Sequence, residues 1–285
     1  MNYEELVERW RTFDVSASIY RVDPALGSLD DVAALAGRAG LTQAADQDWN
    51  DMGPLLELEE EPYVFTVYRA SRAVQYVDSS RWQVDDGTTA MGVSDADAIA
   101  AATREIERLE LTDEATFMPT KVARLNVASS VKNGVPVDTR VIDVGVVFSR
   151  VIDGLTVEGQ GGKVVMYLDA KLEPTGFERI NRRIAVHEPV AGWRQLDSVI
   201  AEVEGYWRAR FGDMLDIDDA RLCYVELGRL EDQEYIQPAY ALSLTLRNQV
   251  NGEERTVEHY VLAATNGIGT LMPTDLGPPS ARRTA

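Results

Sequence analysis

The sequence predicts an α+β protein built from repeated units, each an amphipathic helix packed on antiparallel β-sheet. Three observations carry this. Hairpin dipeptides Asn133-Gly134, Asp153-Gly154 and Asn251-Gly252 separate segments of alternating apolar residues. Such pairs suit type I′ turns, which need positive φ at both central positions. Two Ser-x-x-Asp boxes, Ser28 to Asp31 and Ser94 to Asp97, each precede apolar residues at helical spacing. Finally, Leu196, Val199, Ile200, Val203, Trp207 and Phe211 recur at i, i+3, i+4, i+7, i+11 and i+15, the strongest helical stripe in the chain.

Taken in order, Tyr3, Leu6, Val7 and Trp10 predict a short opening helix, and Ser16 to Val22 a strand ended by Asp23-Pro24. Val32, Leu35, Ala36 and Ala39 predict a helix stopped at Gly40. Gln43 to Gly53 reads as a loop. Tyr63 to Tyr68 and Ala73 to Val77 read as a strand pair around Ala70-Ser71, followed by a loop at Asp85 to Thr89. Ile99, Ala102, Ile106 and Leu109 define a third helix. Strands follow at Lys121 to Val131 and Val135 to Val147.

The segment from Val144 to Val186 reads as consecutive strands. Gly159-Gln160-Gly161-Gly162 breaks it once, and Pro174 with Gly176 marks a further turn. Val164, Met166 and Leu168 share one face. On the last strand Ile180, Arg182, Ile184 and Val186 share a face. Arg179, Asn181, Arg183 and His187 share the other. After the helix stopped at Gly212, strands are expected at Ala220 to Leu227, Ala239 to Leu246 and Thr256 to Ala264. The expected domains are 1–92 and 93–272, both α+β, with a disordered tail over 273–285.

The chain has 285 residues, 45% apolar content and a net charge of −19. The acidity argues against a nucleic-acid partner, which needs a basic face. No basic start or apolar h-region opens the sequence, and no run of about 18 apolar residues spans a membrane. With Met1 as native start, these features predict a cytoplasmic protein without membrane insertion. The oligomeric state stays open. The single cysteine, Cys223, reads as a buried thiol within a strand.

No catalytic constellation emerges. His187 and His259 each adjoin a glutamate, but no His-x-x-x-His or Cys-x-x-Cys spacing supports a metal site. The glycine loop before Lys163 lacks phosphate-loop spacing and leads into a strand. Neither metal nor cofactor is expected. Arg179, Arg183 and His187, with Glu188 beside them, form a cationic strip against the acidic background and are the candidate ligand-binding residues. Guanidinium groups hold carboxylates in bidentate fashion. The strip therefore suggests an anchor for an acidic side chain or a peptide C-terminus.

Three segments carry a resemblance: SDADAIAAATREIERLEL, SRVIDGLTVEGQGGKVVMYLDAKLEPTGFERINR and ARLCYVELGRLEDQEYIQPAYALSLTL. In this order the chain resembles PepSY-like and YycH/YycI-like proteins, built of helix-plus-antiparallel-sheet units. The resemblance implies a non-catalytic module that binds or restrains a partner, with no catalytic residues to carry over. The expected function is that of a peptide- or protein-binding accessory protein. The competing expectation is a cofactor-independent enzyme or scaffold that tailors or cyclises a peptide in a ribosomal natural-product pathway. In that case acid–base work falls to His187, Glu188 or nearby tyrosines.

Overall fold

The structure is a computed structural model. It describes residues 15–23, 29–41, 49–81, 92–112, 115–128, 131–132, 135–136, 139–211, 215–247, 254–269 and 271. The opening helix, the cap at Ser28, the loop at 85–89, the Asn-Gly turns, the stop at Gly212 and the 273–285 tail lie outside the described residues.

Along the chain the elements begin with β1 (Ser18–Val22), α1 (Leu29–Arg38), β2 (Asn50–Asp51), β3 (Leu55–Glu60), β4 (Tyr63–Tyr68) and β5 (Val74–Asp78). Next come α2 (Asp95–Leu109), β6 (Thr116–Ala128), β7 (Val131–Lys132), β8 (Val135–Pro136), β9 (Thr139–Ile152), β10 (Leu155–Gly159), β11 (Lys163–Leu168), β12 (Pro174–Ile180) and β13 (Ile184–Pro189). The last are α3 (Leu196–Phe211), β14 (Leu215–Glu226), β15 (Tyr235–Ile236), β16 (Pro238–Arg247) and β17 (Glu254–Leu262).

The expected α+β class of repeated helix-on-sheet units is therefore corrected. Among the described residues strand makes up 51% and helix 18%, with three helices. The reason lies in the pairing. Strand β12 does not close a unit of its own. It pairs antiparallel with β5, with Gly176 opposite Val77 and Arg179 opposite Val74. Strands from two expected repeats thus merge into one sheet.

The chain divides into two compact units. One holds residues 22–185 and 226–234; the other holds the described residues of 1–21, 186–225 and 235–285. In the 22–185 unit the sheet runs β10-β9-β11-β12-β5-β4-β3-β2, and β6 also pairs with β9. Helices α1 and α2 lie on one face. Leu35, Ala36, Ala98, Ala102 and Ile106 meet Phe65, Val67, Val144, Val164, Met166 and Phe177 there. Each large aliphatic group buried at that face contributes about 1.5–3 kcal/mol.

Both helices end in a Schellman closure. At α1, Leu41 N donates to Ala36 O and Gly40 N to Gly37 O, with Gly40 at φ +108°. At α2, Leu111 N donates to Ile106 O and Glu110 N to Glu107 O, with Glu110 at φ +54°. The start of α2 follows its sequence signal: Ser94 Oγ accepts from Asp97 N at 3.1 Å.

The hairpin at Asp153-Gly154 has φ of +50° and +76°. The turn expected at Pro174 and Gly176 is displaced. Asp169 Oδ1 accepts from Lys171 N at 2.8 Å and Glu173 N at 3.0 Å, making the turn itself. Gly176 lies inside β12, where an added Cβ would meet Tyr76 O at 2.6 Å. A close approach of backbones, not a turn, requires that glycine.

Asp143, buried on β9, accepts from Thr175 Oγ1 at 3.1 Å. Burial pushes its carboxyl up from 3.8 to about 6. A raised acid favours the protonated native state, so its contribution is present below pH 3.8 and lost as pH rises through about 6. The shift corresponds to about 3 kcal/mol at neutral pH. Asp143→Asn keeps an acceptor for Thr175. Its urea midpoint should exceed that of the parent at pH 7 and match it near pH 4. A lower midpoint at pH 7 would contradict this.

The other unit holds two antiparallel sheets, β17-β16-β14 and β13-β1-β15. Leu196, Val199, Ile200, Val203 and Trp207 of α3 are buried, as their spacing predicts. The Trp207 ring lies 5.8 Å from His259 on β17. His259 also lies 5.7 Å from the Tyr206 ring, and burial lowers its pKa against the opposing pull of Glu202. Cys223 is buried, with Sγ 3.7 Å from Ala239 O.

Candidate functional site

Where α1, the β4–β5 hairpin and the end of β12 converge, the 22–185 unit has a cavity of about 250 Å³. Positions 31, 35 and 38 of α1 fall on one helix face, separated by four and then three residues. That face brings Asp31, Leu35 and Arg38 to the cavity, together with Val32 and Ala34. Val67 and Val74 face it from β4 and β5, and Arg72 comes from the turn between them. Arg179 ends β12, and Asn181 and Arg183 follow at two-residue spacing. Glu110, just past the end of α2, completes the wall.

Each arginine is placed by a distinct local cause. Arg38 Nε donates to Leu109 O at 3.1 Å, and its Nη1 lies 3.5 Å from Glu110 Oε2. In return Arg108 Nη1 donates to Arg38 O at 2.9 Å. The two helix C-termini thus cap each other with cations, where the helix dipoles favour them.

Arg72 sits at φ +58°, in the left-handed region. Its N–H donates to Tyr68 O at 2.8 Å, and Tyr68 N to Ala73 O at 2.8 Å. Ser71 Oγ accepts from Ala73 N and donates to Arg229 O at 2.7 Å. A left-handed non-glycine residue costs about 1–2 kcal/mol, and the hairpin's bonds hold it there. Burial holds the Arg72 guanidinium below its ordinary pKa. The Asp23 carboxylate opposes that shift and the Arg183 cation adds to it. Arg72 Nε has no hydrogen-bond partner among the described residues.

The geometry of Arg179, Asn181 and Arg183 depends on the residue buried among them. Arg182 is 1% exposed. Its N–H donates to Glu226 Oε1 at 3.0 Å, and its carbonyl accepts from Arg150 Nη1 at 2.9 Å. Its guanidinium reaches Glu226 Oε1, Leu227 O, Gly228 O and Glu231 O at 2.6–3.3 Å. Arg150 Nη1 also lies 3.6 Å from Glu226 Oε2. Burial raises the Glu226 pKa and the two arginines oppose it. Buried charges claim the main chain of Arg182, so no neighbouring strand pairs with it there.

This corrects the single strand expected from Arg179 through His187. The chain leaves β12 at Ile180 and enters β13 at Ile184. Arg179, Asn181 and Arg183 line the cavity. His187 and Glu188 fall in the other unit. There the exposed His187 ring lies 5.2 Å from that of Tyr235, and Glu188 Oε1 accepts from Asn266 Nδ2 at 3.0 Å. Arg38, Arg72, Asp31 and Glu110 carried no signal in the sequence strip, because separate elements deliver them.

Chemically the lining is cationic over an apolar floor. Four arginines face two carboxylates, while Leu35, Val67 and Val74 are each at most 2% exposed. Among the described lining residues there is no serine, threonine, cysteine, histidine or lysine. Guanidinium stays protonated and donates only, so the cavity is equipped to hold an anion.

No protein-family model matches the chain, and no curated protein matches it. An uncharacterized protein from Eubacterium rectale ATCC 33656, solved by crystallography, is similar in fold at 11% sequence identity and a TM-score of 0.50. The match covers 89% of this chain and 85% of the other. Among the described residues no helix is long and apolar enough to cross a membrane.

Proposed function

We propose that the protein is a non-catalytic peptide- or protein-binding accessory protein whose arginine cavity anchors a carboxylate of its partner. The convergence of Arg38, Arg72, Arg179 and Arg183 in a chain of net charge −19 carries this reading. The Arg183 cation repels Arg72, and an anionic ligand between them relieves that repulsion. Hydrogen bonds to charged groups contribute about 1.5–3 kcal/mol each. Three such contacts sum to about 4.5–9 kcal/mol before the cost of association, about 4 kcal/mol or more, is subtracted, which leaves less than the roughly 8 kcal/mol of a micromolar complex. The cavity therefore works as the anchor of a longer contact.

Fluorescence anisotropy with labelled peptides tests this. Peptides carrying a carboxylate should bind, their fully neutral counterparts should bind at least tenfold more weakly, and binding should fall as salt rises. Equal affinity for charged and neutral peptides would overturn the proposal, as would chemical turnover of the bound peptide.

A further inference from the structure

Three features narrow the ligand beyond any carboxylate; the inference rests on the anchor reading above. The first is Asn181. It lines the cavity at 9% exposure, and its Oδ1 meets no donor among the described residues. A buried acceptor left unmet costs about 1–3 kcal/mol. Arginines already supply donors, so what the site lacks is a donor from the ligand.

The second is the apolar lining. Val32, half-buried, and Ala34, exposed, present aliphatic surface beside the arginines. Carboxylate alone leaves that surface uncovered. The third is size. At about 250 Å³ the cavity exceeds the roughly 150 Å³ that holds benzene and falls below the roughly 300–1,000 Å³ of drug-sized sites. It suits a single amino-acid residue.

An anion, an adjacent N–H donor and an aliphatic group occur together in the last residue of a peptide. We infer that the cavity takes the free C-terminus of a peptide ending in an aliphatic residue. Arg72, Arg179 and Arg183 hold the carboxylate, Asn181 Oδ1 accepts the last amide N–H, and the side chain lies on Val32 and Ala34. An internal Asp or Glu side chain holds its carboxylate one or two methylenes further from its own backbone N–H than a C-terminal residue does.

The test uses the full chain and an N-terminally labelled, otherwise uncharged hexapeptide ending in free leucine, read by anisotropy. Amidating its C-terminus should weaken binding at least tenfold, and leucine-to-glycine at the last position should weaken it about tenfold. Replacing the last amide N–H by an ester oxygen should also weaken it about tenfold on the parent protein. The same ester should cost nothing further on Asn181→Leu, whose fold is checked by its melting curve. If that variant fails to fold, the ester comparison on the parent protein still decides the role of Asn181.

If C-amidated peptides with an internal glutamate bind as tightly as the free acid, the C-terminal assignment is overturned while the anchor stands. If ester and amide bind equally to the parent protein, the role of Asn181 is overturned. If N-acetylleucine competes as tightly as the hexapeptide, the ligand is a small N-acyl amino acid and the peptide assignment is overturned. If no carboxylate compound binds, both readings fall.

Discussion

Arg182→Met should cost about 3–5 kcal/mol of stability, the range expected when one partner of a buried ion pair is removed. Glu226 is fully buried, and burial already raises its pKa against the pull of Arg182 and Arg150. Without Arg182 its ion-pair partner among the described residues is Arg150, at 3.6 Å. The carbonyls of Leu227, Gly228 and Glu231 lose the guanidinium together, and Gly228 O keeps the Glu231 N–H. Those residues form the 226–234 segment. Arg229 within it stacks 4.9 Å over the Tyr68 ring and pairs with Glu178 at 2.8 Å. The segment should loosen with Arg182.

The double variant Arg182→Met with Glu226→Leu should recover part of the loss, because no orphan charge remains. Urea unfolding of the three proteins measures this. A loss below about 1 kcal/mol for Arg182→Met would show that the cluster does not hold the 181–183 segment.

The second large effect is on binding. Arg179→Glu should lower affinity for a carboxylate peptide by 100-fold or more. The substitution removes a cation from the site and adds repulsion against the carboxylate. Arg179 is half-buried at the end of β12, so its melting curve is compared with that of the parent. Arg72→Gly separates stability from binding still further. Glycine adopts φ near +58° without the left-handed penalty. Its melting temperature should stay at or above that of the parent while affinity falls about tenfold or more. A parallel fall in both would make Arg72 a structural residue only.

Local signals in the sequence located most elements. The capped α2, the stripe of α3 and the Asp153-Gly154 hairpin follow from a few residues each, because their causes lie within one turn of chain. Partnership between distant strands was not legible. The pairing of Gly176 with Val77 depends on contacts nearly a hundred residues apart. For the same reason the strip expected on one strand is split. Arg182 looked like one member of an alternating strand, but Glu226, far along the chain, removes it from the ladder. Arg179 and Arg183 were visible as cations against an acidic background. Arg38 and Arg72 were not, since only folding brings a helix end and a hairpin turn beside them.

The most direct measurement of the arginine anchor is nuclear magnetic resonance of the arginine side-chain Nε–Hε groups, with the hexapeptide ending in free leucine added. Saturable shifts are expected at Arg72, Arg179 and Arg183, absent with the amidated peptide. Shifts confined to residues around His187 and Glu188, or no shifts at any of the three arginines, would contradict the anchor.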